Sequence, residues 1–219
     1  MNMLTIKKLA FGLAITAATT FAASAQKTYT QGIITYNINA MGQDVEGKSY
    51  FTPDSSSFQY SAGPATIKMI TSAKADYFAI LVDVPVASMK KAAVATPGEI
   101  EEAADSEPSY TFTPGTETKK IGDYNCTKYT AKDTKSGTSY DLWVTNDISI
   151  PANILTRNFA GVKGVPVQFS YIPAGAKMAQ LVTLKAISDE KVPAGTFAIG
   201  AGYDKISLSD LKAMGGRRQ

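Results

Sequence analysis

The chain has 219 residues and a formal net charge of +3, with one cysteine and no histidine. The nearly balanced charge argues against a nucleic-acid-binding surface. Without histidine the chain lacks the commonest metal ligand and general base, so we predict no metal site, no other cofactor and no enzymatic activity. The lone Cys126 cannot form an internal disulfide, and a buried, inert thiol is favoured over an exposed, reactive one.

The first 25 residues have the pattern of a secretory signal peptide. Two lysines form a basic region, an uncharged and mostly apolar stretch runs from Leu9 to Ala23, and Ala23-Ser24-Ala25 is a small-residue cleavage site. The alternative is a retained membrane span. That would need about 20 predominantly apolar residues, and this stretch is shorter and diluted by threonine.

Cleavage after Ala25 places Gln26 where a lipoprotein would have its cysteine. We therefore predict a periplasmic or secreted protein without a stable membrane span or lipid anchor. Residues 26–219 are enough for one domain with a substantial core, and no linker divides them.

In the mature chain, apolar and polar residues alternate at period two, as Ile34, Tyr36 and Ile38 do with their neighbours. Turn-forming pairs such as Gly63-Pro64 separate these runs. The pattern predicts hairpins of an antiparallel sheet with one face in a core. Ten strands are expected, at residues 28–40, 44–52, 55–61, 65–72, 76–84, 108–113, 123–132, 138–146, 164–172 and 178–190.

Three segments carry helical signals. Thr96-Pro97-Gly98-Glu99 predicts a capped acidic helix to about Asp105, with a solvated acidic loop as the alternative. Residues 151–159 have apolar side chains at helical spacing, and a last short helix follows Ser207. The segment 85–107 is otherwise irregular and is expected to cover one opening of the sheet.

Few motifs carry chemistry. Ser88-Met89-Lys90-Lys91 matches the serine-x-x-lysine pattern of acyl enzymes, which requires the lysine one helical turn from the serine. Because of this match, a serine-based acyl hydrolase that uses Ser88 and Lys91 is kept as a distant hypothesis, behind the two given below. Residues 133–137 begin like a calcium loop, but Lys135 replaces an oxygen ligand, so a polar turn is predicted. The carboxylates between residues 99 and 107 are interpreted as a solvated helix face.

The second half of the chain contains a series of recognisable segments: Ile121 to Tyr129, Asp141 to Ile148, Gly164 to Phe169 and Glu190 to Pro193, followed by Phe197 and Gly202-Tyr203. This series resembles a family of uncharacterised exported domains of Gram-negative bacteria. In that family a Gly-Tyr-x-Cys-x-Lys-Tyr strand precedes Leu-Trp-Val-Thr and Gly-x-Pro-x-x-Phe strands, and Asp123 is an insertion in the first motif here.

That family is similar in expected architecture to the LolA and LppX periplasmic carriers. The resemblance implies a mainly β (α+β) fold: a strongly curved, unclosed antiparallel sheet, with two or three short helices covering its concave side. It also implies an apolar cavity that carries a lipid or the acyl chains of a lipoprotein. The runner-up is a structural or protein-interaction module of the cell envelope with a filled core. From alternation alone, the predicted cavity-wall residues are Tyr36, Phe58, Tyr60, Ile67, Met69, Trp143, Phe169 and Tyr171.

Overall fold

The computed structural model describes residues 26–40, 42–172 and 178–216, so the predicted signal peptide lies outside the described residues. The chain forms β-strands for most of its length, with one helix between strands and one at the end. The strands are β1 Lys27–Thr28, β2 Gly32–Ala40, β3 Gln43–Phe51, β4 Ser55–Ala62, β5 Ala65–Ser72, β6 Phe78–Val84, β7 Met89–Val94, β8 Tyr110–Ile121, β9 Tyr124–Asp133, β10 Ser139–Thr145, β11 Ile148–Ser149, β12 Val165–Tyr171, β13 Gln180–Ser188 and β14 Asp204–Ile206; the helices are α1 Pro97–Ser106 and α2 Leu208–Gly216.

Twelve of these strands form one unclosed sheet, in the order β14-β7-β6-β5-β4-β3-β2-β13-β12-β10-β9-β8. All neighbours are antiparallel except β14 and β7. The prediction of a large antiparallel sheet is therefore confirmed, but with twelve strands instead of about ten. The additional strands are β7 and β14, at one edge. A separate parallel pair joins β1 to β11.

Strand register defines two faces of the sheet. We call one the Tyr36 face, because Tyr36 lies on it with Phe58 and Phe169. The larger core forms here, and all three of these rings are buried. A smaller core lies on the opposite face, where Ile70, Ala79, Leu81 and Ala92 pack under residues 197–203.

Gly47 shows how closely the larger core is packed. Its strand neighbours on β4 are Tyr60 and, two residues away, Phe58. A Cβ atom at Gly47 would lie 2.3 Å from the Phe58 ring. The ring therefore lies directly over the backbone of β3, and only glycine leaves room for it.

Residues 151–162, which we call the covering segment, pack over the larger core. The helix predicted for 151–159 is wrong, because the segment consists of turns and one short 3₁₀ helix at Arg157–Phe159. Asn153 explains this shape: its side chain accepts a hydrogen bond from the Leu155 N–H, and Thr156 Oγ1 accepts one from the Asn153 N–H. Such side chain–backbone bonds compete with helix formation.

The predicted acidic helix is confirmed as α1. Thr96 accepts a hydrogen bond from the Glu99 N–H, while the Glu99 carboxylate accepts one from the Thr96 N–H. This capping box and Pro97 begin the helix. None of its residues is buried.

In the described parts of the chain no helix has both the length and the apolar character needed to cross a membrane.

Candidate ligand-binding surface

An apolar area on the Tyr36 face extends beyond the covering segment. We call it the open wing and define it by six residues of β4, β5 and β6. Register places Tyr60 beside Ile67 and Ile67 beside Val82; Met69 lies beside Ile80 in the next row. Each is only partly buried. The open wing therefore offers adjoining apolar side chains that are still in partial contact with water. Its members are Tyr60, Ile67, Met69, Phe78, Ile80 and Val82.

The structure places the predicted wall residues in four different positions. Tyr36, Phe58 and Phe169 are buried in the larger core and have no surface to offer a ligand. Tyr60, Ile67 and Met69 belong to the open wing. The partly buried Tyr171 lies on the same face beyond Phe169, while Trp143 lies on the opposite face.

Trp143 is buried and belongs to the larger core cluster, but the side chains paired with it on both neighbouring strands are polar. Register pairs it with Gln168 on one side and Lys128 on the other. The Lys119 ammonium lies 4.0 Å from the centre of its ring and also donates to the Gln168 side-chain oxygen at 3.0 Å. Cation–π contact and the lysine stem shield the ring from water. We do not assign Trp143 to the same surface as Tyr60.

Three members of the open wing were absent from the sequence prediction: Phe78, Ile80 and Val82 on β6. The run from Tyr77 to Val82 is apolar throughout, so alternation does not show which residues share a face. Strand register settles this, since Ile80 pairs with Met69 and Val82 with Ile67.

A cleft of about 540 Å³ opens near the end of α1. Its walls come from α1, the start of β8 and the covering segment. The Arg157 guanidinium pairs with the Glu107 carboxylate, and Lys135 donates to the main-chain oxygens of Asp105 and, at 2.6 Å, Glu107. A cation at a helix C-terminus is favourable because the last carbonyls there carry partial negative charge. These bonds hold the end of α1 to the sheet.

Two aromatic side chains, Tyr110 and Phe112, line the cleft. Tyr110 stacks on Phe159 with ring centres 5.3 Å apart, and Phe112 lies beside both. Burial raises the pKa of Tyr110 to about 12, with smaller contributions from Tyr140 and Asp133. Burial also lowers the pKa of the Arg157 guanidinium.

The serine-x-x-lysine pattern lacks the geometry of the acyl enzymes. Ser88 ends a 3₁₀ turn and Lys91 lies on β7, so the two residues are not one helical turn apart. The Lys91 ammonium instead donates to the Asp204 carboxylate at 2.8 Å.

The predicted polar turn at residues 133–137 is confirmed. The Asp133 carboxylate accepts hydrogen bonds from the Lys135 N–H at 3.0 Å and the Ser136 hydroxyl at 2.6 Å. The Ser136 bond is the main reason that the pKa of Asp133 is lowered. Across residues 26–40, 42–172 and 178–216, no group of three or more metal-ligating side chains comes together.

Cys126 is buried and free. Burial raises the pKa of its thiol to about 11, with a smaller contribution from Asp147. The thiol therefore stays protonated at neutral pH, which agrees with the inert role predicted for it.

The chain resembles solved structures in its fold, but it matches no known protein family. No family model and no curated protein matches the chain. A solved structure of PNGF-II in space group P21 is similar with a TM-score of 0.51 and 16% identity, covering 84% of this chain and 33% of that chain. A second PNGF-II structure, in space group C2, gives a TM-score of 0.47 and 16% identity over 84% and 32%. The chain thus spans about a third of the length of PNGF-II.

Proposed function

We propose that this chain is an exported, non-enzymatic binding protein that holds the acyl chain of a lipid or lipoprotein against the open wing. The observation that carries the proposal is the row of partly exposed apolar side chains on β4, β5 and β6, continuous with the larger core. Soluble proteins rarely leave such side chains adjoining one another without a function. An acyl chain needs contact with apolar groups and no directional partner.

Chain length supports a strongly curved sheet. Strands β7 and β8 lie ten positions apart in the sheet. In a flat sheet that separation would be about 48 Å. The residues joining them are 95–109, ten of which form α1. A ten-residue helix and five extended residues span at most about 32 Å, so a flat sheet cannot be connected in this way.

The exposure of α1 supports an open wing that this helix does not fill. The helix connects the two edge regions of the sheet, and none of its residues is buried. Helix and sheet therefore do not form a packed interface at α1. The covering segment, by contrast, buries Ile154, Leu155 and Phe159 against the other half of the same face.

The magnitude of the hydrophobic effect is sufficient for this role. Each methylene group that leaves water contributes about 0.8 kcal/mol, so ten contribute about 8 kcal/mol. That corresponds to a dissociation constant of about 1 μM before the cost of immobilising the chain is subtracted. The proposal therefore predicts a reversible complex of micromolar or weaker affinity.

The packing of the larger core favours the second candidate, a structural or protein-interaction module of the envelope. Tyr36, Phe58 and Phe169 are fully enclosed, and Asn153 donates to the Tyr36 hydroxyl at 3.2 Å. This half of the Tyr36 face is filled. The two candidate functions therefore lead to different predictions only for the open wing.

Native mass spectrometry of the protein purified from its own envelope tests the proposal. We expect co-purifying acyl species that lipid extraction identifies. Ile80→Glu places a charge in the open wing and should abolish this binding. The matched control is Leu181→Glu, because Leu181 is also an apolar strand residue that is in contact with water but lies on the opposite face.

A ligand-free protein whose melting temperature shifts with none of the lipids tested would contradict the acyl-chain proposal. It would favour the interaction module. Equal loss of acyl species in Ile80→Glu and Leu181→Glu, with both variants folded by circular dichroism, would exclude the open wing as the binding surface.

A further inference from the structure

The edge strand β8 has two halves of different character. In the first half, from Tyr110 to Thr113, the strand pairs with β9 without interruption. The second half begins with Pro114, and the register shifts between Pro114 and Thr118. The exposed Lys120 follows. Proline, a bulge and lysine are the devices by which proteins prevent pairing at a sheet edge. They occur here only in the second half.

The hydrogen-bond pattern shows which main-chain groups of the first half face outward. Ser109 O accepts from Thr134 N at 2.7 Å, and bonded and non-bonded pairs alternate along an antiparallel ladder. Tyr110 and Phe112 therefore occupy non-bonded positions, and their N–H and C=O groups point away from β9. No hydrogen bond among the described residues uses these four groups.

The position of Pro114 agrees with this assignment. It is the next residue in the outward-facing series and has no N–H to offer, which is tolerated only where no ladder bond is made. The outward main-chain donors of the first half are thus those of Tyr110 and Phe112.

We propose that the first half of β8 is a docking edge that accepts an extended, basic segment of a partner protein as an additional strand. Outward N–H and C=O groups in alternation are complementary to another extended backbone. The cleft described above adjoins the same residues, since Tyr110 and Phe112 line it, and it can receive a side chain of the added strand.

The acidic residues of α1 indicate that the partner segment is positively charged. Helix α1 ends four residues before Tyr110 and carries Glu99, Glu101, Glu102 and Asp105 with no basic residue. Asp105 also lines the cleft, where Arg157 pairs with Glu107 and Lys135 is the one further cation among the described residues, so the acidic charge of α1 is in excess. A second copy of this chain at the same edge would bring two acidic helices together, so a basic segment is favoured over self-association. The inference does not depend on the acyl-chain proposal.

Amide hydrogen exchange measured by NMR tests the docking edge. The probe is the peptide Lys-Val-Lys-Val-Lys, acetylated and amidated at its ends, added to the purified protein. We expect it to slow exchange at the Tyr110 and Phe112 amides. The same peptide with every amide N-methylated cannot donate main-chain hydrogen bonds and should bind about tenfold more weakly or worse.

A double variant, Glu101→Gln with Glu102→Gln, should weaken binding of the basic peptide severalfold. Its matched control, Asp123→Asn with Glu190→Gln, removes the same charge from exposed residues outside α1 and should bind as the unaltered protein does.

Three results would overturn the inference. The N-methylated peptide could protect the two amides equally, or Glu-Val-Glu-Val-Glu could bind as tightly as the lysine peptide. Protection that rises with protein concentration in the absence of peptide would identify a second copy as the occupant.

Discussion

The Tyr36 face has a filled half and an open half, although the same alternation builds both. In the filled half, the covering segment places Leu155 and Phe159 over Tyr36 and Phe169, and the ring centres of Phe159 and Phe169 lie 5.0 Å apart. In the open half, Ile67, Ile80 and Val82 belong to neither core cluster. An inward-facing apolar pattern therefore predicts which residues share a face, and a distant segment decides whether they are covered.

The largest difference between the halves should appear in stability. Phe169→Ala removes a fully buried ring and should lower the free energy of unfolding by about 3–5 kcal/mol. Ile80→Ala removes a partly exposed side chain and should lower it by about 1 kcal/mol. Urea denaturation followed by circular dichroism measures both. Equal losses would show that the open wing is packed as tightly as the filled half, and the comparison would fail.

A smaller effect is expected from the hydrogen bonds that hold the covering segment. Asn153 is buried, donates to the Tyr36 hydroxyl and accepts from the Leu155 N–H. Asn153→Ala leaves both partners without a bond and should cost about 1–3 kcal/mol. Hydrogen exchange should rise across residues 153–159 and stay unchanged in β5 and β6. Uniform loss of protection would mean that the two halves unfold as one unit.

The smallest effect concerns alkaline pH. Burial raises the pKa of Tyr110 to about 12 and that of Tyr124 to about 12, whereas tyrosine in an unfolded chain ionises near 10. Between pH 10 and 12 the unfolded chain releases these protons and the folded chain retains them. The free energy of unfolding should therefore fall as the pH rises from 10 to 12. Below pH 9 these two tyrosines should not change it.

Denaturation midpoints at pH 9, 10 and 11 measure this dependence. Tyr110→Phe should reduce the fall in the free energy of unfolding between pH 10 and 11. Phenylalanine keeps the ring that stacks on Phe159 of the covering segment but has no hydroxyl that titrates. If the denaturation midpoints of Tyr110→Phe depended on pH as those of the unaltered protein do, Tyr110 would not contribute to the alkaline loss of stability.

Local patterns predicted the positions of ten strands, and the capping box predicted α1. Strand β8 extends to Ile121, eight residues beyond the predicted end at residue 113. Strand β7 was missed because Met89-Lys90-Lys91-Ala92-Ala93-Val94 combines residues of low strand propensity and does not alternate. Its place in the sheet depends on pairing with β6, which no local pattern reveals. The covering segment was misread as a helix because its apolar spacing is helical, whereas Asn153 and Thr156 bond to the backbone as turn residues do.

The candidate surface was predictable in part. Tyr60, Ile67 and Met69 follow from alternation and lie together, but Trp143 has the same local pattern and lies on the opposite face. Which face a strand residue occupies depends on register across the whole sheet. Residues such as Tyr36 and Phe58 share the correct face but are buried, because a segment about 100 residues away in sequence covers them.

Photo-crosslinking tests the central claim most directly. A fatty acid carrying a diazirine on its acyl chain is irradiated with the purified protein, and the modified peptides are identified by mass spectrometry. We expect adducts within residues 60–82, on Tyr60, Met69, Ile80 or their neighbours of the open wing, that excess unlabelled fatty acid suppresses. Adducts confined to the opposite face, or none above a denatured control, would contradict it.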